Sequence, residues 1–395
     1  MKLHNIAIAA AAASAGIFPA GANSPYVSKV YEYRPAPGQF VNELPEYEEG
    51  DTEAQMIAKC EEYIVGRARG SLLSLGSFGG YIVFGFDHPI VNVAGEYDFN
   101  IYGNAFKGDP ELGNGASAEP GIVMVSRDTN GNGIPDDEWF QLEGSEYWKS
   151  TTFHGCDITY SKPDMSRPAN ADPDPDDRYI TDRTYIHWTS NDPSKPQGYV
   201  MRNSYHTQSY WPLWIDGETI SYNGITRLAD NFTLGTYEGH SYYSQKPYGW
   251  GYVDNQANDD CPGFKIDNAV DAQGNPVALS KIDFIKVYTA LNQYCSWLGE
   301  TSTEIMGAVD LHPDASGVEG TSADEKAITF AGCSSSSLSL LNSGETVEAV
   351  IYSPSGSLCL QQPVNSGYST IDVSSLAPGI YLLRAAGATL KFAKP

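Results

Sequence analysis

Positive charge is scarce in this sequence: 24 Lys and Arg stand against 49 Asp and Glu in 395 residues, a net charge of −25. Nucleic acid is excluded as a partner, because phosphate binding needs clustered Lys and Arg to displace counterions. Long apolar runs are missing as well. Beyond the N-terminus no segment approaches the ~18 uninterrupted apolar residues of a membrane span. There is no HExxH, no GxSxG and no Walker-type phosphate loop, which removes the metalloprotease, hydrolase-elbow and P-loop templates. The six cysteines (Cys60, Cys156, Cys261, Cys295, Cys333 and Cys359) include no CxxC pair, so metal and redox use are disfavoured. Buried free thiols and disulfides both fit their irregular spacing, and Cys333–Cys359 is the first pairing to expect if bridges form.

What is plentiful points towards strands and turns: 26 Tyr, 39 Gly and 24 Pro, with 41% hydrophobic and 18% charged residues. Residues 1–22 read as a signal peptide: Lys2 precedes the apolar run IAIAAAAA from Ile6 to Ala13, and Ala20 and Ala22 supply the small residues a signal peptidase needs. Export into a soluble, cell-surface or extracellular setting is expected. A helix capped by Asp51 is predicted through about Arg67, with Ala54, Ile57, Cys60, Tyr63 and Ile64 on one face. Short β-rich runs follow, such as YIVFGF from Tyr81, GIVMVS from Gly121 and IDFIKVYT from Ile282.

The predicted fold is therefore all-β: a large jelly-roll-like β-sandwich with one N-terminal helix over residues 23–312, a polar linker at 313–327, and a small immunoglobulin-like β-sandwich at 328–395.

The sharpest chemical signal is DTNGNGIPDDEW, from Asp128 to Trp139. Hard oxygens alternate at Asp128, Asn130 and Asn132, a glycine turn follows at Gly133, Ile134 offers a carbonyl, and Asp136, Asp137 and Glu138 close the loop. Ca²⁺ takes six to eight such oxygens, so a structural calcium ion is expected here, although a polar hairpin turn favours the same residues. A second acidic group, Asp259, Asp260, Asp267 and Asp271, is a weaker candidate for an ion.

Aromatic residues gather in Gly-rich, loop-like stretches. Trp188, Tyr199, Tyr205, Tyr210, Trp211 and Trp214 form one group, Tyr248 and Trp250 belong to a second, and Tyr294 and Trp297 to a third. Such platforms stack against sugar rings or flat cofactors, and these residues are the expected ligand face. Glu119, Glu138, Glu300 and Glu304 are the candidates for a catalytic carboxylate pair, a competing reading that depends on distances a sequence does not give.

The stretches SLGSFGGYIVFGFDHPI, GEYDFNIYGNAF, AEPGIVMVSRDTNGNGIPDDEWFQLEGSEY and NSYHTQSYWPLWI resemble a family of secreted cell-surface proteins of Gram-negative gut anaerobes. That resemblance implies a surface jelly roll of the kind that accompanies outer-membrane nutrient uptake, corrinoids included. The tail, from VEAVIYSPSGSLCLQQ through SSLAPGIYLLRAAGATLKFAKP, is similar to the type IX secretion sorting module, without the Asn-Pro entry common in such modules. The combined expectation is a calcium-stabilised surface protein that binds a glycan or a corrinoid-like molecule, with an outer-membrane uptake complex as a candidate partner. A glycan hydrolase and an adhesive protein remain the alternatives.

Overall fold

The computed structural model describes residues 23–93, 95–108, 116–237, 240–317, 328–342, 345–353, 357–385 and 388–394. The signal segment 1–22 and most of the expected linker, 318–327, lie outside the described residues. The chain divides into two compact units, one ending at Gly317 and one beginning at Val318. Strands dominate both, and the fold is an all-β sandwich. Among the described residues no helix is long and apolar enough to cross a membrane.

The larger unit is built on two antiparallel sheets. One has six strands in the order Lys29–Arg34, Tyr81–Val91, Lys281–Thr289, Gly121–Ser126, Trp139–Leu142, Ala269–Val270. The other has four, in the order Thr219–Arg227, Phe153–Ser161, Ile180–Ser190, Gln197–Asn203. In Phe153–Ser161 the side chains of Cys156, Ile158 and Tyr160 alternate inward, the period of a strand with one covered face. In Tyr81–Val91, by contrast, Ile82, Val83, Phe84 and Phe86 are all buried, as a central strand covered on both faces requires.

The one α-helix among the described residues, Glu53–Ile64, lies against the edge strand Lys29–Arg34 and buries Met56, Cys60 and Ile64, four residues apart. Its cap is Thr52 rather than Asp51: Thr52 Oγ1 accepts the Gln55 N–H while Gln55 Oε1 accepts that of Thr52, a reciprocal capping box. Asp51 instead pairs with Lys59 Nζ at 2.7 Å. The helix stops at Ile64, short of Arg67, because Val65 turns extended (ψ 139°) and Gly66 takes a positive φ.

The smaller unit packs a three-stranded sheet (Ile328–Cys333, Ser337–Asn342, Gly367–Asp372) on a four-stranded one (Leu358–Val364, Val347–Tyr352, Gly379–Ala385, Ala388–Lys394). Leu338, Leu340, Ile351, Leu383 and Phe392 fill its core. Seven antiparallel strands split three and four are an immunoglobulin-like partition. Cys359, expected to pair with Cys333, is a free and exposed thiol; the Cys333 side chain lies outside the described residues. Cys60, Cys156, Cys261 and Cys295 are free too.

Removing the helix cap tests this local reading. Thr52→Ala should cost about 1 kcal/mol and lower the melting temperature of the larger unit by about 2–4 °C, measured by calorimetry, whereas Asp51→Ala should shift it less.

Candidate functional site

A five-residue polar segment, Glu300 to Glu304, runs through the interior of the larger unit, and every one of its residues is buried. It stays inside because its hydrogen-bonding groups are met. The end of the segment pairs with Leu73–Ser74, Glu304 opposite Ser74. Ser302 Oγ lies 2.7 Å from Ser74 Oγ, and Thr303 Oγ1 donates to the Glu119 carbonyl at 2.8 Å. Leu75 N–H donates to the Thr303 carbonyl at 3.0 Å. A chain of amides continues the network: Gln293 Nε2 and Gln245 Nε2 both donate to Thr301 Oγ1, at 2.9 and 3.0 Å. Gln245 Nε2 also reaches Glu119 Oε1 at 3.4 Å.

At one end of this segment Glu300 and Thr301 line a groove of about 420 Å³. Its walls carry the rings of Phe78, Trp188, Tyr199, Phe232 and Tyr294, and its rim holds Lys195 bonded to Asp230 at 2.7 Å. Glu300 Oε1 accepts the Gln39 N–H at 2.6 Å, an approach that Gly38 permits, since a Cβ there would sit 2.7 Å from the same oxygen. Glu300 Oε2 is buried and has no partner, and neither has the buried Tyr294 hydroxyl. Burial pushes the Glu300 carboxyl up to about 8, against a weaker pull from the Gln39 N–H, so it holds its proton at neutral pH. Tyr294 is raised as well, by burial first and then by Tyr210 and Glu300.

At the other end Glu304 meets Glu119 and Asp254, with one oxygen of each within 4.8 Å of the others. Asp254 sits at φ 54°, in the left-handed region that Asp tolerates better than most residues. Its Oδ1 accepts the N–H groups of Asn104 and Ala105, both at 2.7 Å, and its Oδ2 that of Glu304 at 3.0 Å. Gly103 makes room: a Cβ there would lie 2.4 Å from Asp254 Oδ1. Burial and then Asp254 raise Glu119 to about 8; burial raises Asp254 to about 7; Glu304 is raised well above the usual range, by burial and then by Glu119 and Asp254.

The aromatic residues singled out from the sequence do not form one face. Trp188 lines the groove, 8% exposed. Tyr210, Trp211 and Trp214 are core residues, packed among Phe78, Tyr185, Ile220 or Tyr33, and so are not ligand platforms. Their loop-like context misled: the Tyr210 hydroxyl finds its acceptor in the His206 carbonyl, inside the chain. Tyr248 is half-buried, its hydroxyl bonded to the Ala229 carbonyl. Trp250 lines a separate cavity of about 300 Å³. Tyr205, 64% exposed, stacks on Tyr179, and Trp297 is exposed on the short helical turn Ser296–Leu298.

The loop 128–138 joins Gly121–Ser126 to Trp139–Leu142, two paired strands. Asp128 Oδ1 accepts the N–H groups of Gly131 and Asn132, and Asp128 Oδ2 that of Gly133. Asn130 and Asn132 turn their amides to Asp136, Asp137 accepts from Thr129, and Ile134 and Glu138 are exposed. The second acidic group is dispersed. Asp259 pairs with Arg69 and Asp260 with Lys107, Asp267 accepts from Asn92, and Asp271 closes its own turn to Asn275. Among the described residues the only close carboxylate cluster is Glu119, Asp254 and Glu304. Two of its members and Glu300 were among the acids singled out from the sequence; Asp254 was not, and this positive-φ aspartate had no sequence signal beyond its neighbouring Asn.

No protein-family model matches this chain, and no curated protein is similar to it.

The buried acid in the groove sets a pH dependence. An unfolded glutamate loses its proton near 4.5, whereas Glu300 in the folded chain keeps it to about 8. The folded state therefore binds more protons between those values, and the contribution of Glu300 to stability declines as pH rises through that window, by up to about 1.4 kcal/mol per pH unit. Glu300→Gln, which carries no titrating proton, should gain melting temperature relative to wild type between pH 5 and pH 9; a difference that stays constant with pH would show Glu300 to be ionised.

Proposed function

We propose that the protein is an exported cell-surface binding protein that captures a small ring-bearing polar molecule in the groove, in the service of nutrient acquisition. The observation that carries this reading is the pairing of aromatic walls with two buried oxygens, Glu300 Oε2 and the Tyr294 hydroxyl, that no group of the chain satisfies. A buried polar group without a partner costs roughly 1–3 kcal/mol, and a ligand hydroxyl entering the groove would recover it. Sugar rings offer the matching chemistry: an apolar face for Trp188 and Tyr199, and hydroxyls that accept from Glu300 and Tyr294. The volume falls in the lower half of the roughly 300–1,000 Å³ common for small-molecule sites, which suits a short glycan better than a corrinoid.

A calcium ion in the loop 128–138 steadies the hairpin in this reading. The Asn130 and Asn132 amides turn to Asp136 and the loop N–H groups of Gly131, Asn132 and Gly133 to Asp128, and an ion would offset the like charge of Asp128, Asp136 and Asp137 in this one short loop. The C-terminal sandwich serves as the sorting and attachment module. The tail's likeness to such modules supports that role, as the N-terminal segment supports export. A second reading follows from one further observation: Glu300 is a protonated carboxyl facing the groove, with the Asp230 carboxylate on the same rim, as a glycan hydrolase acting by general acid catalysis would need.

The test is a calorimetric titration against a panel of short glycans and cobalamins. Tyr199→Ala, at a position 42% exposed, should weaken the binding of a captured glycan at least tenfold while moving the melting temperature by less than about 2 °C. Binding that is indifferent to Tyr199 would contradict the groove as the site. Release of free sugar by the wild type, abolished in Glu300→Gln, would turn the assignment to the hydrolase. For the loop, calcium should raise the wild-type melting temperature by several degrees and Asp128→Asn should shrink that rise, since Asn keeps an acceptor for the loop N–H groups and loses the charge.

A further inference from the structure

We propose that Glu119, Asp254 and Glu304 hold a second divalent cation, calcium by donor chemistry, inside the larger unit behind the floor of the groove. Three carboxyl groups with one oxygen each inside 4.8 Å cannot all ionise in an interior without a counterion. Among the described residues no Lys or Arg is bonded to them: their partners are the N–H groups of Asn104, Ala105, Ser302 and Glu304, the side chains of Gln245 and Ser302, and, between Glu119 and Glu304, each other. One further observation points to a ligand: Glu304, 3% exposed, keeps Oε1 buried with no hydrogen-bond partner.

All three side chains of the cluster offer hard carboxylate oxygens, with no His or Cys among them, which selects Ca²⁺ or Mg²⁺ over zinc and copper. Unequal side chains from three separate points of the chain, Glu119, Asp254 and Glu304, favour the flexible coordination of Ca²⁺ over the octahedral demand of Mg²⁺. The ion would tie these segments together at the point where Glu304 ends the polar strap that floors the groove. It is distinct from the loop 128–138, whose donors belong to one exposed hairpin.

The experiment uses the full mature chain carrying Asp128→Asn, so that the exposed loop contributes least. After dialysis against calcium and gel filtration, elemental analysis should find one equivalent of calcium per chain. Glu304→Gln in the same background should lose that equivalent and lose the melting-temperature rise that calcium gives. If Glu304→Gln does not fold, Glu119→Gln, at the more accessible rim of the cluster, gives the same comparison. Two results would overturn the site. One is no retained divalent ion in Asp128→Asn, with Glu304→Gln melting at an equal or higher temperature in both calcium and EDTA, as expected if the acids merely share protons. The other is a retained ion that survives both Gln substitutions.

Discussion

Carrying carboxyl oxygens into the interior of a β-sandwich costs several kcal/mol for each ionised group, and this chain does so four times within one connected region. Glu119, Asp254 and Glu304 come together, and Glu300 lies four residues upstream. A fold can meet that cost with protons, with a cation or with donors. Here the donors run short at Glu300 Oε2 and Glu304 Oε1 alike. The segment Glu300 to Glu304 thus joins two places that are incomplete without something from outside the chain. One opens to the groove and is offered a ligand hydroxyl; the other is closed and is offered a positive charge.

The rest of the larger unit can be understood as the frame that holds this segment. Leu73–Ser74 gives it a strand partner, and Gly76 accepts from Thr289 on the central strand Lys281–Thr289. Gly38 and Gly103 let backbone approach Glu300 and Asp254 where any side chain would collide. Gln39 is buried against the same region, bonding Glu300 through its N–H, the Leu298 carbonyl through Nε2 and Asn203 through Oε1. Buried polar networks of this kind tolerate little substitution, since one missing partner exposes the next.

Much of the fold was legible in the sequence because periodicity and turn chemistry are local. The strands at Tyr81, Gly121 and Ile282, and the tail module, lie within a few residues of where alternation and glycine placed them. The helix cap slipped by one residue because Asp51 and Thr52 are both good caps, and Gln55 decides between them only through its reciprocal bond to Thr52. The site was far less legible. Trp188 and Trp211 carry the same side chain in similar contexts, yet one borders a groove and the other is 1% exposed in the core. That distinction comes from sheet packing, which sequence does not show. The exposed hairpin of Asp128 announces its oxygens by spacing alone, whereas the Glu119, Asp254 and Glu304 cluster is assembled from residues 50 to 185 positions apart and has no local signature.

The central claim is that this buried acid cluster is neutralised by an ion and not by shared protons. A crystal structure of the mature chain grown in manganese, with data collected at an energy where manganese scatters anomalously, tests it most directly. The account predicts an anomalous peak enclosed by the carboxylates of Glu119, Asp254 and Glu304. Carboxyl oxygens in direct contact with no peak between them would contradict it.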